Sequence, residues 1–257
     1  MQSNGPLLNR YHKVWFASSL VMTLLSGPIT QAKAVDWRSM DDTLLLTHAC
    51  NYATSDTKKA QARLALNELK RRGPDGLRAL MKHMHIRNIY IRVTADNWVR
   101  GSKDEALISP LLESLDSEHE RTRSQAAYLL GYYELPQYAE KILPLLEDEK
   151  TEQSAIRTLG KWKVSEALER IYPYLQHDEE RYRIYAANAL RDIADPNTTH
   201  HLIPLLNDKF FTVRYVAARA LETIGQLQPL KTAHENAKGI PKRHLARIIE
   251  ALETPEP

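Results

Sequence analysis

The sequence predicts an all-α protein, a right-handed α-solenoid of about six helical hairpins. Three observations carry that prediction. A small residue recurs at Ala65, Ala95, Ala126, Ala155, Ala186 and Ala217, with spacings of 30, 31, 29, 31 and 31 residues. An aliphatic residue follows each by four positions: Leu69, Val99, Leu130, Leu159, Leu190 and Leu221. Upstream, an apolar stretch around a proline recurs at Pro110, Pro144, Pro173 and Pro204. A fixed period of this size is the mark of stacked supersecondary units.

The physics of one unit follows from these tracks. Positions i and i+4 share one face of a helix, so each alanine and its aliphatic partner define an inward stripe. Alanine there lets a neighbouring helix approach closely. The proline-bearing stretch, for example Leu202-Ile203-Pro204-Leu205-Leu206, reads as the other helix of the hairpin, with proline near its start, where the missing N–H costs least. Gly73-Pro74, Asp195-Pro196 and Gly225 supply breaks between helices. One hairpin cannot bury its apolar face alone, so stacking must hold the array together. The predicted repeats span roughly 41–73, 77–103, 106–134, 140–163, 169–194 and 200–225. Residues 41–53 read as the first helix, and 229–252 as a capping region whose closing helix begins at Pro241. The unit around Ala95 departs most, with Asp96 and Trp98 where the others carry small apolar residues.

The motif Leu205-Leu206, Asp208, Val213-Arg214, Ala217-Ala218, Ala220-Leu221, Ile224-Gly225 recurs with losses at Leu175, Asp178, Arg183, Ala186-Ala187, Ala189-Leu190 and Ile193. This pattern resembles the short HEAT-like repeats also found in phycobilisome lyases, over about residues 58–236. The resemblance implies a solenoid of HEAT-like hairpins. For function it implies little, because such repeats serve many binding roles.

The N-terminus reads differently. Residues 1–13 carry Arg10, His12 and Lys13 and no acid, and Val14 to Leu25 are continuously apolar. Gly27-Pro28 break that run, and Ala32-Lys33-Ala34 follows. This order is that of a secretory signal peptide, here residues 1–34 with cleavage after Ala34. The expected location is periplasmic or secreted. The run falls short of the ~20 apolar residues of a membrane-spanning helix, and no span is expected after cleavage.

Export changes the charge balance. Residues 1–34 hold three of the 35 lysines and arginines and none of the 32 acids, so the remainder carries 32 of each. The pI of 8.8 thus owes much to the leader, and the electrostatic motive for nucleic-acid binding falls away. Within the remainder, 35–103 is net basic and 104–257 net acidic. Cys50 stands alone, so no intrachain disulfide is available, and its apolar neighbours suggest a small buried hydrophobe.

Few residues point to chemistry. An arginine three residues before the repeat alanine recurs at Arg92, Arg123, Arg183 and Arg214, with Asp116, Asp178 and Asp208 five to seven residues earlier in three cases. The spacing predicts structural bridges between each turn and the helix that follows it. His83/His85 and His200/His201 are too close in sequence to share a helix face, and no metal is expected. The deoxyhypusine hydroxylases, a HEAT-like family, hold iron through His-Glu pairs from several repeats. Here the only such dipeptides are His119-Glu120 and His234-Glu235, at unmatched positions. No catalytic residue and no cofactor is expected.

A partner surface follows from helical geometry. At 100° per residue, the position two after each alanine faces away from the core. That row reads Asn67, Asn97, Tyr128, Arg157, Asn188 and Arg219. The position two before reads Arg63, Val93, Ser124, Gln153, Ile184 and Tyr215. In HEAT-like stacks the second helices line the concave face, so Tyr128, Arg157, Ile184, Asn188, Tyr215 and Arg219 are the expected contacts to a protein partner. Ile184 and Tyr215 read as exposed anchors. The expected function is a monomeric scaffold of assembly-factor or immunity type rather than an enzyme. A lyase, isomerase or metal-dependent enzyme, and a polysaccharide binder stacking sugars on Trp98 and Trp162, are the alternatives.

Overall fold

A computed structural model describes residues 36–50, 55–86 and 88–254. The chain divides into two units, Met1–Asp36 and Trp37–Pro257, and every described helix belongs to the second. The segment read as a signal peptide lies outside the described residues.

The fold is an all-α solenoid of HEAT-like hairpins, with no strand among the described residues. The hairpins pair α1 (Asp42–Cys50) with α2 (Asp56–Arg71), α3 (Pro74–Lys82) with α4 (Ile89–Ser102) and α5 (Ile108–Ser114) with α6 (Glu120–Leu130). Then come α7 (Ala139–Ile142) with α8 (Glu152–Lys161) and α9 (Leu168–Ile171) with α10 (Glu180–Ile193). The stack ends with α11 (Thr199–Leu202) and α12 (Phe211–Ile224), then α13 (Leu227–Asn236) and α14 (Gly239–Glu253). Helices α6, α8, α10 and α12 pack side by side in sequence.

The alanine and aliphatic tracks form the spine. All six alanines and all six aliphatic partners are completely buried. Neighbouring second helices come close at Gly160, where a Cβ would come within 2.6 Å of the Ala189 Cα on α10. Buried side chains also tie the fourth unit to the third. Thr158 Oγ1 donates to the Ala127 carbonyl at 2.7 Å, and Trp162 Nε1 to the Tyr133 carbonyl at 2.7 Å. Each bond satisfies a polar group inside the stack, where an unmade one would cost about 1–3 kcal/mol.

Two expectations need correcting. Pro144, Pro173 and Pro204 do not lie near the start of their helices. Each falls after a 3₁₀ turn and a four-residue α segment, at the head of a second 3₁₀ stretch: Leu143–Glu147, Tyr172–Gln176 and Ile203–Asn207. Proline lacks the N–H that would continue the α ladder and collides with the carbonyl four residues back, so the chain tightens instead. Trp162 is buried, with its indole N–H bonded inward, and Trp98 is half-buried against the core. The indole of Trp162 is therefore not available to stack on a sugar.

Helix ends follow the breaks. Asp195 caps the 3₁₀ turn Pro196–Thr198 through a 2.8 Å bond to the Asn197 N–H. Gly225 takes a left-handed φ of 70° to close α12, the conformation glycine adopts without a Cβ penalty.

Candidate functional site

The second helices α4, α6, α8 and the start of α10 wall a groove of about 940 Å³. Its two ends differ. At the α4 end Ile86, Ile89 and Val93 are 41%, 51% and 43% exposed. A helix cannot hide Ile89, Tyr90, Ile91 and Val93 on one face, and of these four only Ile91 is buried. The other end is polar and charged, with Glu149, Lys150, Glu152, Glu179 and Arg181.

Tyr128 lies on the groove wall between them. The Arg157 guanidinium sits 4.0 Å from the Tyr128 ring centroid and 5.6 Å from that of Tyr132. The two tyrosine hydroxyls are 2.9 Å apart, and Tyr132 donates to Asp96 Oδ1 at 3.0 Å. Burial and this bonding push the Tyr132 hydroxyl up to about 12, so it stays a donor throughout the physiological range. Arg157 Nη1 is buried with no hydrogen-bond partner among the described residues. Lys161 adds a second cation 4.9 Å from the Tyr132 ring, its pKa lowered by burial and by Arg157. This is a rigid aromatic platform carrying positive charge, a combination suited to binding.

The other expected contacts are spread out. Asn188 is half-buried and donates to the Ile184 carbonyl at 3.0 Å. Ile184 itself is half-buried against the core, because α10 is flanked by helices on both sides; it is not an exposed anchor. Arg219 is paired with Glu222 at 2.7 Å. Tyr215 is 53% exposed, its ring 6.2 Å from that of Phe211. The structure thus joins Tyr128 to Arg157, but of the six expected contacts only Tyr128 lines the groove; Arg157, Ile184, Asn188, Tyr215 and Arg219 lie outside its lining.

The carboxylate pairs of the arginine column run between repeats, not within one. Arg183 pairs with Asp208 of the following turn at 2.7 and 3.1 Å, and Arg123 with Asp148 of its following turn. Asp116 and Asp178, the sequence neighbours, lend no carboxylate; Arg183 meets Asp178 only at its backbone carbonyl. In the fourth repeat the column inverts: Glu152 stands three residues before Ala155. It is buried, accepts from the Tyr174 hydroxyl at 2.8 Å, and meets no lysine or arginine at ion-pair distance among the described residues. Burial and Glu152 push the Tyr182 hydroxyl up to about 12.

The histidines also sit differently from expectation. His83 follows the last residue of α3, so helical divergence does not apply, and its ring lies 6.3 Å from that of His85. His200 and His201 have rings 3.9 Å apart, with His201 stacked on Tyr172 at 3.7 Å. Among the described residues no three His, Cys, Asp or Glu side chains gather as a metal would need. Cys50 is half-buried, and burial pushes its thiol up, away from reactivity.

A family model described as HEAT repeats matches residues 139–222. Among solved structures, an engineered protein is 16% identical, over 85% of this chain and 72% of that one, with a TM-score of 0.51. A complex of CpcE and CpcF of phycocyanin lyase from Nostoc sp. PCC7120 is 17% identical, over 90% and 99%, with a TM-score of 0.46. A second engineered protein is 19% identical over 83% and 99%, with a TM-score of 0.48. No curated protein matches the sequence. The repeat match over residues 139–222 and the likeness at a TM-score of 0.51 speak to fold alone, a solenoid of HEAT-type hairpins.

Proposed function

We propose that this chain is an exported binding scaffold, periplasmic or secreted after cleavage at Ala34, that grips a protein partner along the concave face of its second helices. It works by binding and not by turnover, as a monomer. One observation carries the reading. The groove combines an exposed aliphatic end, the Tyr128 ring, backed by the Arg157 guanidinium, and a charged end. Aliphatic and aromatic anchors beside arginine, ringed by polar groups, is the composition of protein interfaces.

The test is affinity capture from the native periplasm with wild-type protein, Val93→Glu and Tyr128→Ala/Arg157→Glu as baits. The expected result is one saturable partner, lost with both variants while their helical circular dichroism is unchanged. A partner retained by both variants refutes the groove assignment. N-terminal sequencing of the exported product should begin at Val35.

A further inference from the structure

Arg123 and Arg183 do the same work with two edges of the guanidinium. Nη1 donates to two carbonyls of the residue's own turn: Ser117 and Glu118 for Arg123 at 2.9 and 3.0 Å, His177 and Asp178 for Arg183 at 2.6 and 2.9 Å. The other edge takes the aspartate of the next turn, Asp148 or Asp208. Arg214 repeats the first half, with Nη1 on the carbonyls of Asp208 and Lys209 at 2.7 and 3.1 Å. It does not repeat the second. Asp208 stands two residues before the residue capping α12; the same place before α14 is Asn236. The Asn236 amide donates back to the Thr232 carbonyl. Arg214 Nε is buried with no hydrogen-bond partner among the described residues.

More positive charge gathers around it. Helix α14 brings Arg243, His244 and Arg247 to this end, and His244 is held down by burial and by Arg214, Arg247 and Arg243 together. None of the three arginines forms an ion pair among the described residues. Two exposed rings flank the cluster. Phe211 is 66% exposed, with the Arg214 guanidinium 5.8 Å from its centroid, and Tyr215 follows one turn later. Aromatic rings of this size do not stay in water without cost.

We propose that this edge docks an acidic segment of a protein partner, whose Asp or Glu carboxylate takes on Arg214 the place that Asp208 holds on Arg183. An apolar residue beside that carboxylate covers Phe211 and Tyr215. The site lies outside the groove, and the proposal deepens the scaffold reading, on which it rests. Charge alone would also suit a nucleic acid or an anionic membrane. The carboxylate pairing that Arg183 makes bidentately and Arg123 makes through Nη2 alone favours a carboxylate.

The test uses fluorescence anisotropy with the full exported chain and a fluorescein-labelled peptide, GSDFDLEFGS, against its amide counterpart GSNFNLQFGS. Wild type should bind the acidic peptide saturably and the amide peptide at least tenfold more weakly. Arg243→Glu/Arg247→Glu should lose at least tenfold in affinity. Arg214→Lys, which keeps the charge but not the planar fork, should lose a similar amount with its melting temperature preserved. Arg157→Glu should bind the peptide as wild type does. Absence of saturable binding, or undiminished binding by Arg243→Glu/Arg247→Glu, overturns the proposal. So does tighter binding of a 20-nucleotide single strand or of phosphatidylglycerol vesicles than of the peptide. If native partner capture depends on Val93 while the acidic peptide fails to bind, the edge site falls and the groove reading stands.

Discussion

Removing the Asp208 carboxylate should be among the most damaging single changes to this protein. The side chains of Arg183 and Asp208 are 8% and 12% exposed, and two hydrogen bonds of 2.7 and 3.1 Å join them across adjacent repeats. Asp208→Ala leaves the guanidinium buried without its counter-charge, which costs about 3–5 kcal/mol. The change also removes the 2.8 Å bond that Asp208 accepts from the Phe210 N–H, adding about 1 kcal/mol. A matched exposed bridge, Lys150–Glu120, has side chains 62% and 45% exposed, and its loss should cost under about 1 kcal/mol. The assay is urea denaturation of wild type, Asp208→Ala, Arg183→Ala and the double variant, with Glu120→Ala as control. For a urea m-value toward the upper end of about 1–3 kcal/mol per molar, the Asp208→Ala midpoint should fall by more than about 1 M. The double variant should be about 2 kcal/mol or more better than the sum of the singles, because it removes the stranded charge along with its partner. A cost below about 1 kcal/mol for Asp208→Ala, or simple additivity, would refute the reasoning.

Other outcomes follow from the same packing. Gly160→Ala should cost up to about 2 kcal/mol in urea titration: the new Cβ meets Ala189 Cα at 2.6 Å, so the overpacking penalty lies toward the upper end of about 1–3 kcal/mol and outweighs the roughly 1 kcal/mol gained from helix propensity. A stabilised variant would contradict the closeness of α8 and α10. Trp162→Phe should lose about 1–3 kcal/mol by orphaning the Tyr133 carbonyl, read as a lower melting temperature; an unchanged melting temperature would argue against that buried bond. Acid should destabilise the fold. Glu68 and Glu113 are lowered from 4.5 to about 2, chiefly by hydrogen bonds from Arg71 and Arg78. Asp148 is lowered chiefly by Arg123. At Asp208 burial pushes upward, and the bonds from Arg183 and Phe210 outweigh it. All four bind protons more weakly when folded, so their contribution is complete above pH 4.5 and drains as pH falls toward about 2. Urea midpoints should hold from pH 7 to 5 and drop between 4.5 and 2.5; a midpoint that rises on acidification reverses the sign of this argument.

Much of this architecture was legible in the sequence because its two tracks sit four residues apart on one helix face. Ala186 and Leu190 cannot both be buried by chance in every repeat, and the period makes the inference cumulative. The arginine bridges were misassigned because sequence neighbours suggest local pairs. Arg183 and Asp208 are 25 residues apart and meet only through the register of the stack. Glu152 was hidden by a turn two residues shorter, from Asp148 to Ala155, than the stretch from Asp208 to Ala217, which shifts the arginine column against its landmarks. Ile86 and Ile89 escaped because they lie in or next to a turn, off the helical rows. The excess of apolar residues from 86 to 93 was the available signal: more than one helix face could bury. Asp96 was visible as a departure from small apolar residues, but its bond with Tyr132 spans two units.

The proline-tightened first helices set a dimension that no partner need touch. Five residues wound as 3₁₀ rise about 10 Å, against about 7.5 Å as α-helix. In the fourth, fifth and sixth hairpins, Leu143–Glu147, Tyr172–Gln176 and Ile203–Asn207 therefore stretch one layer relative to its opposite number. Exchanging those prolines would shorten each of these first helices by about 2 Å. A side chain chosen for its missing N–H can in this way set the length of a helical layer without adding a residue.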